Sequence, residues 1–142
     1  MTQKWLVPID GSEIALHSIG WIIKHAAEWR DAPQVLLINV QPSLPNDIGR
    51  FIDADTIRDF HLDAGMAALV PARERLAAAG LATETHVMVG NPAATITAFA
   101  DSHGCSMILI GTRGHSGLAG TLLGSVAMKV VHLANVPVLL MR

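Results

Sequence analysis

Short apolar runs alternate with helix-like segments along the whole chain. Four of the runs are almost uninterrupted in Val, Ile, Leu and Met, which is typical of parallel strands that are covered on both faces. The alternation predicts an α/β domain in which a parallel sheet lies between two layers of helices. The five predicted strands are Trp5–Ile9, Val35–Val40, Thr85–Val89, Met107–Ile110 and Val138–Met141.

The first two connections between strands both carry a helical pattern. Apolar residues recur at helical spacing over residues 11–30, and either Asp10 or Ser12 can cap that helix. A longer helical pattern covers residues 54–79 and follows a loop rich in Pro and Asn. Because Pro71 lies inside the longer pattern and lacks a backbone N–H, we expect a kink or a break just before it.

The third and the last connections have clearer helix boundaries. Asn91 can cap the third helix, and Gly104 can end it in a left-handed turn. The last helix is predicted to begin near Ser125 and to stop at Asn135, two residues before a proline. Its expected buried face consists of Val126, Val130, Val131 and Ala134.

Five such strands most simply form one open sheet. If the crossovers are right-handed, the strand order is 3-2-1-4-5, which is a doubly wound, Rossmann-like or flavodoxin-like arrangement. No linker divides the chain, so we expect a single domain over residues 1–142. Ligands of such sheets bind where the strand order reverses, beyond the carboxyl ends of the first and fourth strands. Asp10 and Gly111 emerge at these two ends.

The segment from Gly111 to Ser125 contains the most informative pattern. Its glycines allow backbone N–H groups to approach an anion closely, and a helix that begins at Ser125 adds unpaired donors and a positive dipole end. The alternative is a glycine-rich loop without a ligand. A Walker A loop is excluded because no Lys precedes Ser125, and the spacing after the first strand excludes a dinucleotide fingerprint.

Composition and charge narrow the possible partners. The ten Lys and Arg residues are scattered against twelve Asp and Glu, so nucleic acids and anionic membranes are unlikely binding partners. Aromatic residues make up only 4% of the chain, so few aromatic side chains exist to line a carbohydrate-binding cleft. A single cysteine, Cys105, excludes an internal disulfide and is expected in the core. With no signal-peptide pattern at the start, we expect a cytoplasmic protein.

The remaining chemically active side chains do not indicate catalysis. Arg113 and His115 lie in the glycine-rich segment, where either could contact phosphate, although His115 is expected to be an exposed loop residue. His61 and Asp63 are expected to be solvated helix residues and not metal ligands. No pair stands out as a nucleophile and its base, and the P-loop Lys is missing, so we do not expect rapid phosphoryl transfer.

The glycine spacing carries a family resemblance. The order Gly-x2-Gly-x9-Gly-Ser is met by Gly111, Gly114, Gly124 and Ser125. At this motif the chain resembles the universal stress protein family, and residues 7–13 and 137–142 are similar to that family's opening and closing strands. The resemblance implies a Rossmann-like fold, dimerisation through the last strand and, in the subgroup with the glycine motif, ATP binding without strong catalysis.

The resemblance also implies roles for individual residues. Asp10 and Val40 match the positions that meet the adenosine part of the nucleotide. Gly111 and Gly114 match those at the ribose and first phosphates. Gly124 and Ser125 match those at the outer phosphates.

Physical reasoning adds residues to this set. Helix-terminal charge interactions of at most about 2 kcal/mol cannot supply the roughly 8 kcal/mol of micromolar binding, so the adenine must also be buried. The apolar candidates for its surroundings are Pro8, Ile9, Val40 and Val126. Asp10 would repel phosphates, so it either accepts hydrogen bonds from adenosine, helps to hold Mg²⁺, or caps the first helix.

The last strand suggests a second kind of partner. Val138–Met141 should be an apolar sheet edge, and such an edge favours pairing with another chain. A two-fold homodimer would pair the two copies antiparallel, while an edge covered by its own loops is the alternative. The sequence therefore predicts a dimeric ATP-binding regulatory protein, with a dimeric interaction module or a slow ATPase as the alternatives.

Overall fold

The computed structural model describes residues 2–112 and 123–142. It contains one sheet of five parallel strands in the order β3-β2-β1-β4-β5, which confirms the predicted α/β architecture and strand order. The strands are β1 (Lys4–Pro8), β2 (Gln34–Gln41), β3 (Thr83–Val89), β4 (Met107–Gly111) and β5 (Val138–Met141). The helices are α1 (Ala15–His25), α2 (Asn46–Gly49), α3 (Ala54–Ala78), α4 (Pro92–Ser102) and α5 (Ser125–Leu133).

The sheet separates two hydrophobic cores because successive strand residues point to opposite faces. Trp5 and Val7 of β1 pack into the core beneath α1 and α3, whereas Leu6 between them packs into the core beneath α4 and α5. The full burial of all three residues explains why the strands read as continuous apolar runs. Within the described residues, no helix is long and apolar enough to cross a membrane.

Helix α3 is continuous through Pro71, so of the predicted kink or break near Val70 the break is wrong. Buried residues lie on both sides of the proline and form one stripe against the sheet: His61, Gly65, Leu69, Ala72 and Leu76. This tertiary packing outweighs the backbone hydrogen bond that Pro71 cannot make. At the start of α3, Asp53 accepts a hydrogen bond from the Thr56 N–H at 2.7 Å, which lowers the pKa of its carboxyl.

Both ends of α4 match the sequence prediction, whereas the start of α1 differs from it. Asn91 caps α4 by accepting from the Ala94 N–H at 3.2 Å, and Gly104 follows that helix with φ of +65°. Helix α1 has Ile14 at its N-cap position, and this side chain makes no capping hydrogen bond. The Ser12 hydroxyl still accepts a hydrogen bond from the Ala15 N–H at 3.3 Å.

Two predictions about burial have opposite outcomes. Cys105 lies in the core beneath α4 and α5, as predicted, and burial raises the pKa of its thiol. In α5 the buried residues are Ala127 and Val130, whereas Val131 is 46% exposed and its predicted burial is wrong. Helix α5 faces the sheet along the 127 and 130 positions, and Val131 lies about 100° further round the helix than Val130.

Candidate functional site

A cavity of about 330 Å³ opens beyond the carboxyl ends of β1, β2 and β4. We refer to it as the switch-point cavity, because the strand order reverses between β1 and β4. Its volume lies within the usual range of small-molecule sites, about 300–1,000 Å³. It is lined by Pro8, Ile9, Asp10, Ala15, Ile38, Asn39, Val40, Pro92, Ile96, Ile110, Gly111, Thr112, Gly124, Ser125, Val126 and Ala127.

Backbone hydrogen bonds hold the rim of this cavity in place. The Ile9 N–H donates to the Ile38 carbonyl at 2.9 Å, which extends the pairing of β1 with β2 beyond the end of β1. The Thr112 N–H donates to the Met141 carbonyl at 2.7 Å, and the Gly124 N–H donates to the Thr112 carbonyl. The chain therefore returns at Gly124 to the point where it left β4, so the start of α5 lies beside the end of that strand.

The amino end of α5 supplies the positive electrostatic potential of the site. Gly124 is its N-cap residue, and no side-chain hydrogen bond caps this end among the described residues. The first intrahelical bond runs from the Met128 N–H to the Gly124 carbonyl at 2.9 Å. The preceding N–H groups of Ser125, Val126 and Ala127 have no acceptor inside the helix, and together with the helix dipole they favour an anion.

Apolar side chains form two walls of the cavity. Ile38 and Val40 of β2 contribute one wall, and Ile96 of α4 contributes another. Ile38 and Ile96 belong to the core beneath α4 and α5, so their positions are fixed by close packing. An apolar wall next to an anion-binding helix end suits a ligand with a flat hydrophobic ring at one end and a negative charge at the other.

Asp10 lies at the rim of the cavity in a short turn. One of its carboxylate oxygens accepts hydrogen bonds from the Ser12 N–H at 2.9 Å and from the Ser12 hydroxyl at 2.5 Å. Asp10 is the one carboxylate among the described lining residues. Since Mg²⁺ in nucleotide sites is held by one or two carboxylates together with substrate phosphates, this residue fits a cation that arrives with a polyphosphate.

Asn39 is a polar lining residue that the sequence reasoning missed. It is 4% exposed, its amide N–H donates to the Ile9 carbonyl at 2.8 Å, and its Oδ1 accepts from the Gln41 side chain at 2.6 Å. Asn39 therefore ties the ends of β1 and β2 together beneath the cavity. A single amide within the otherwise apolar run of β2 was the available signal, because a polar residue buried in a central strand needs partners.

The structure brings eight of the ten predicted site residues to the same cavity. These are Pro8, Ile9, Asp10, Val40, Gly111, Gly124, Ser125 and Val126. The other two, Arg113 and Gly114, lie outside the described residues, as does His115. The convergence of β1, β2, β4 and α5 is thus observed, while the role of each residue toward a ligand remains a prediction.

His61 does not occupy the solvated position that was predicted for it. It is 4% exposed in the buried stripe of α3, whereas Asp63 is exposed. The helical spacing explains the error, since residue 61 lies four positions before Gly65 and so on the same face. In the part of the chain that the structure describes, no cluster of three or more His, Cys, Asp or Glu side chains could hold a metal ion.

Comparisons with known proteins agree with this architecture. The family model described as "Universal stress protein family" matches residues 1–142. The chain belongs to this family. Universal stress protein YxiE from Bacillus subtilis is 34% identical to it over 150 residues, with all of both chains covered.

Solved structures of similar proteins share the fold over nearly the whole length. Hypothetical protein MJ0577 superimposes with a TM-score of 0.85 at 25% identity, covering 99% of this chain and 96% of the other. A universal stress protein in complex with cAMP superimposes with a TM-score of 0.67 at 25% identity, covering 99% and 96%.

Two more distant neighbours also hold nucleotides. The universal stress protein from Archaeoglobus fulgidus was solved with dAMP, at 23% identity and a TM-score of 0.69, covering 100% and 98%. A universal stress protein family protein from Arabidopsis thaliana was solved with AMP, at 19% identity and a TM-score of 0.68, covering 97% and 90%. At these identities the two likenesses show that the fold is shared.

Proposed function

We propose that this universal stress protein binds an adenine nucleotide in the switch-point cavity, and that the nucleotide is ATP with Mg²⁺. The observation that carries the proposal is the convergence of an apolar cavity with the uncapped amino end of α5. This combination matches the two ends of a nucleotide, an aromatic base and a chain of phosphates. Three structural neighbours hold cAMP, dAMP or AMP, which share the adenine base and one phosphate.

The two parts of the ligand would contact different sets of lining residues. The adenine would pack against Pro8, Ile9 and Val40, with Val126 closing the other side. The phosphates would accept hydrogen bonds from the backbone N–H groups of Gly111 and Ser125, and Gly124, which has no Cβ, would let them approach the start of α5 closely. Arg113 and Gly114 complete the glycine motif that the family resemblance connects with ATP.

The energetic balance requires both ends of the cavity. Micromolar affinity corresponds to about 8 kcal/mol, whereas the helix-terminal electrostatic contribution is typically about 0.3–1 kcal/mol. Burial of apolar surface stabilises by roughly 25 cal/mol per Å², so covering an adenine ring supplies several kcal/mol. The apolar wall therefore has to provide much of the affinity, and the helix end has to provide the preference for phosphates.

The proposed role is nucleotide-dependent regulation without rapid catalysis. None of the described residues that line the cavity is Lys, Arg or His, so none of them could neutralise a transferring phosphoryl group through a cationic side chain. Asp10, as the one carboxylate among the described lining residues, would help to hold a Mg²⁺ ion bound with the phosphates, and the ion would offset its repulsion of them. The bound state would then be read by a partner or by the dimer itself.

Filling the apolar end of the cavity should abolish binding. In Val40→Trp, the larger side chain occupies the space proposed for adenine, and we expect no ATP binding below millimolar concentration, against micromolar affinity in the wild type. Isothermal titration calorimetry with ATP and Mg²⁺ measures both. Val131→Trp is the matched control, because Val131 is exposed on α5 and does not line the cavity. Equal affinities in wild type and Val40→Trp would contradict the proposed position of the base.

We further propose that two copies pair through β5. This strand forms one edge of the sheet, and Leu140 on it is 40% exposed. Three further large apolar side chains are exposed on the adjacent helix α5: Met128, Val131 and Leu133. Antiparallel pairing across a two-fold axis would satisfy the free backbone groups of the edge and cover this apolar surface.

Placing a charge on this edge should separate the copies. We expect Leu140→Arg to be a monomer of about half the wild-type mass, because the buried arginine of each copy would lose its hydration and face its symmetry mate. Multi-angle light scattering measures the mass. Met88→Arg, which alters an exposed methionine of β3 at the opposite edge of the sheet, should remain a dimer. A wild-type mass for Leu140→Arg would count against pairing through β5.

A further inference from the structure

A second cavity, of about 630 Å³, lies at the amino end of α3. We call it the α3 cavity. It is bounded by the loop after β2, by α2, by the first two turns of α3 and by the end of β3. Its lining residues are Ser43, Leu44, Pro45, Asn46, Gly49, Arg50, Ala54, Ile57, Arg58, His61 and Val89. None of these lines the switch-point cavity, so the two spaces are separate.

The α3 cavity lies on the sheet face that carries α1 and α3. Val87 of β3 contacts Gly65 of α3, and Val89, two residues further, points to the same face of the sheet. His61 precedes Gly65 by four residues and therefore lies on the same side of the helix. The stripe that packs α3 onto the sheet thus ends at His61, where the helix passes beyond the strand and the cavity begins.

His61 is an unusual residue at the end of an otherwise apolar stripe. It is 4% exposed, and its Nδ1 is shielded from solvent with no hydrogen-bond partner among the described residues. The imidazole ring makes an edge-to-face contact with the ring of Phe60, and the two ring centroids are 5.6 Å apart. Buried polar atoms in folded proteins almost always have a partner, so the unpartnered Nδ1 distinguishes His61 from the rest of the stripe.

The carboxylates near the α3 cavity, Asp47, Asp53 and Asp55, lie in the same segments but do not line it. Arg50 and Arg58 line it, and no carboxylate is among its described lining residues. Arg58 lies 3.7 Å from Asp55, but both side chains are largely exposed, so this ion pair is weak and leaves the guanidinium available. The remaining walls are mostly apolar, with Leu44, Ile57 and Val89 among them.

We propose that the α3 cavity is a second binding site, for a small organic anion that carries a carboxylate, sulfonate or phosphate group on an apolar body. The anionic group would bind between Arg50 and Arg58, since guanidinium groups pair with such oxygens through two parallel hydrogen bonds. The apolar body would cover Leu44 and Val89 and extend toward His61. This site is separate from the proposed nucleotide site. It would give the domain a second ligand-binding site, on the opposite side of β2.

A matched pair of fluorescent probes tests the site in the intact chain. 8-Anilinonaphthalene-1-sulfonate is an organic anion, and N-phenyl-1-naphthylamine has the same aromatic body without the charge. We expect Val40→Trp, whose switch-point cavity is filled, to bind one sulfonate per chain at least about tenfold more tightly than the neutral amine. Addition of the sulfonate should also shift the ring signals of His61 in an NMR spectrum.

Substitution of the two lining arginines tests whether they bind the sulfonate group. Arg50→Gln combined with Arg58→Gln should weaken sulfonate binding at least about tenfold, whereas Arg73→Gln combined with Arg75→Gln, on exposed positions of the same helix, should leave it within about twofold. The proposal is overturned if the sulfonate does not bind, if the neutral amine binds equally well, or if the first double variant keeps its affinity. Loss of binding in Val40→Trp, or unshifted His61 signals, would place the probe elsewhere and also overturn it.

Discussion

A carboxylate in place of the Ser125 hydroxyl is expected to weaken nucleotide binding while leaving the fold intact. Ser125 is the first residue of α5, where the structure places uncapped N–H groups beside the switch-point cavity. Ser125→Asp would put a negative charge next to the proposed phosphates, and two unit charges about 4 Å apart repel by roughly 4 kcal/mol at an effective dielectric constant of 20. Because Ser125 is exposed, water reduces this repulsion, and we expect an affinity loss of about 10- to 100-fold for ATP.

The same substitution separates binding from stability. An acidic residue in the first turn of a helix is favourable by about 0.3–1 kcal/mol, and α5 has none there, so Ser125→Asp should not lower the melting temperature. Ser125→Asn, which is neutral, is the matched control for shape. Calorimetric titration with ATP, AMP and adenosine should show a loss that decreases in that order and vanishes for adenosine. A similar loss for all three would mean that the phosphates do not lie at the start of α5.

Replacement of Gly65 by alanine is expected to destabilise the domain despite the better helix propensity of alanine. A Cβ at this position would lie 2.4 Å from Cγ1 and 2.7 Å from Cγ2 of Val87, well inside van der Waals contact. Valine is stiff about χ1 and Gly65 is buried, so the overlap requires α3 to move away from β3. Overpacking of this kind costs about 1–3 kcal/mol, which exceeds the propensity gain of roughly 1 kcal/mol.

Gly20 provides a matched control within the same fold. It also lies inside a helix, α1, but a Cβ there has no atom within 4 Å, so Gly20→Ala should stabilise by about 0.5–1 kcal/mol. Urea unfolding measures both changes. Removing the clash in the double variant Gly65→Ala, Val87→Ala should recover part of the loss. If Gly65→Ala were as stable as Gly20→Ala, the close packing of α3 on β3 would be wrong.

The strand order was predictable because the physical signals for it are local. Buried parallel strands must be apolar on both faces, and right-handed crossovers leave few topologies for five of them. Helix ends with strong local chemistry were predictable for the same reason, as at Asn91 and Gly104. With the strand order known, the site at the carboxyl ends of β1 and β4 follows without further information.

The errors arose where tertiary packing decides the outcome. Pro71 is a strong local signal for a helix break, yet α3 continues because residues on both sides of it pack on the sheet. His61 looked like a surface residue because its burial depends on the register of α3 over β3. Val131 was predicted to be buried because it is hydrophobic. In the structure, α5 covers the sheet along only one narrow face, and Val131 lies outside that face.

The location of the site could be predicted from the sequence, but most of the residues that form its walls could not. The glycine motif and Asp10 pointed to the switch point, and Val40 came from the family resemblance. The lining residues Ile96 and Pro92 of α4 lie more than fifty residues from β2 in sequence, so only the fold shows that they meet Ile38 and Val40. Asn39 was not predicted as a site residue, because its role depends on hydrogen bonds to Ile9 and Gln41 that only the fold shows.

The central claim, that an adenine nucleotide lies between the ends of β1 and β2 and the start of α5, is tested most directly by NMR. A ¹⁵N-labelled sample of the wild-type chain is titrated with ATP and Mg²⁺, and the backbone amide shifts are followed residue by residue. The account predicts saturable binding of one nucleotide at micromolar concentration, with the largest shifts at Ile9, Asp10, Val40, Gly111 and residues 124–126. An absence of shifts up to millimolar ATP, or shifts confined to α3 or β5, would contradict it.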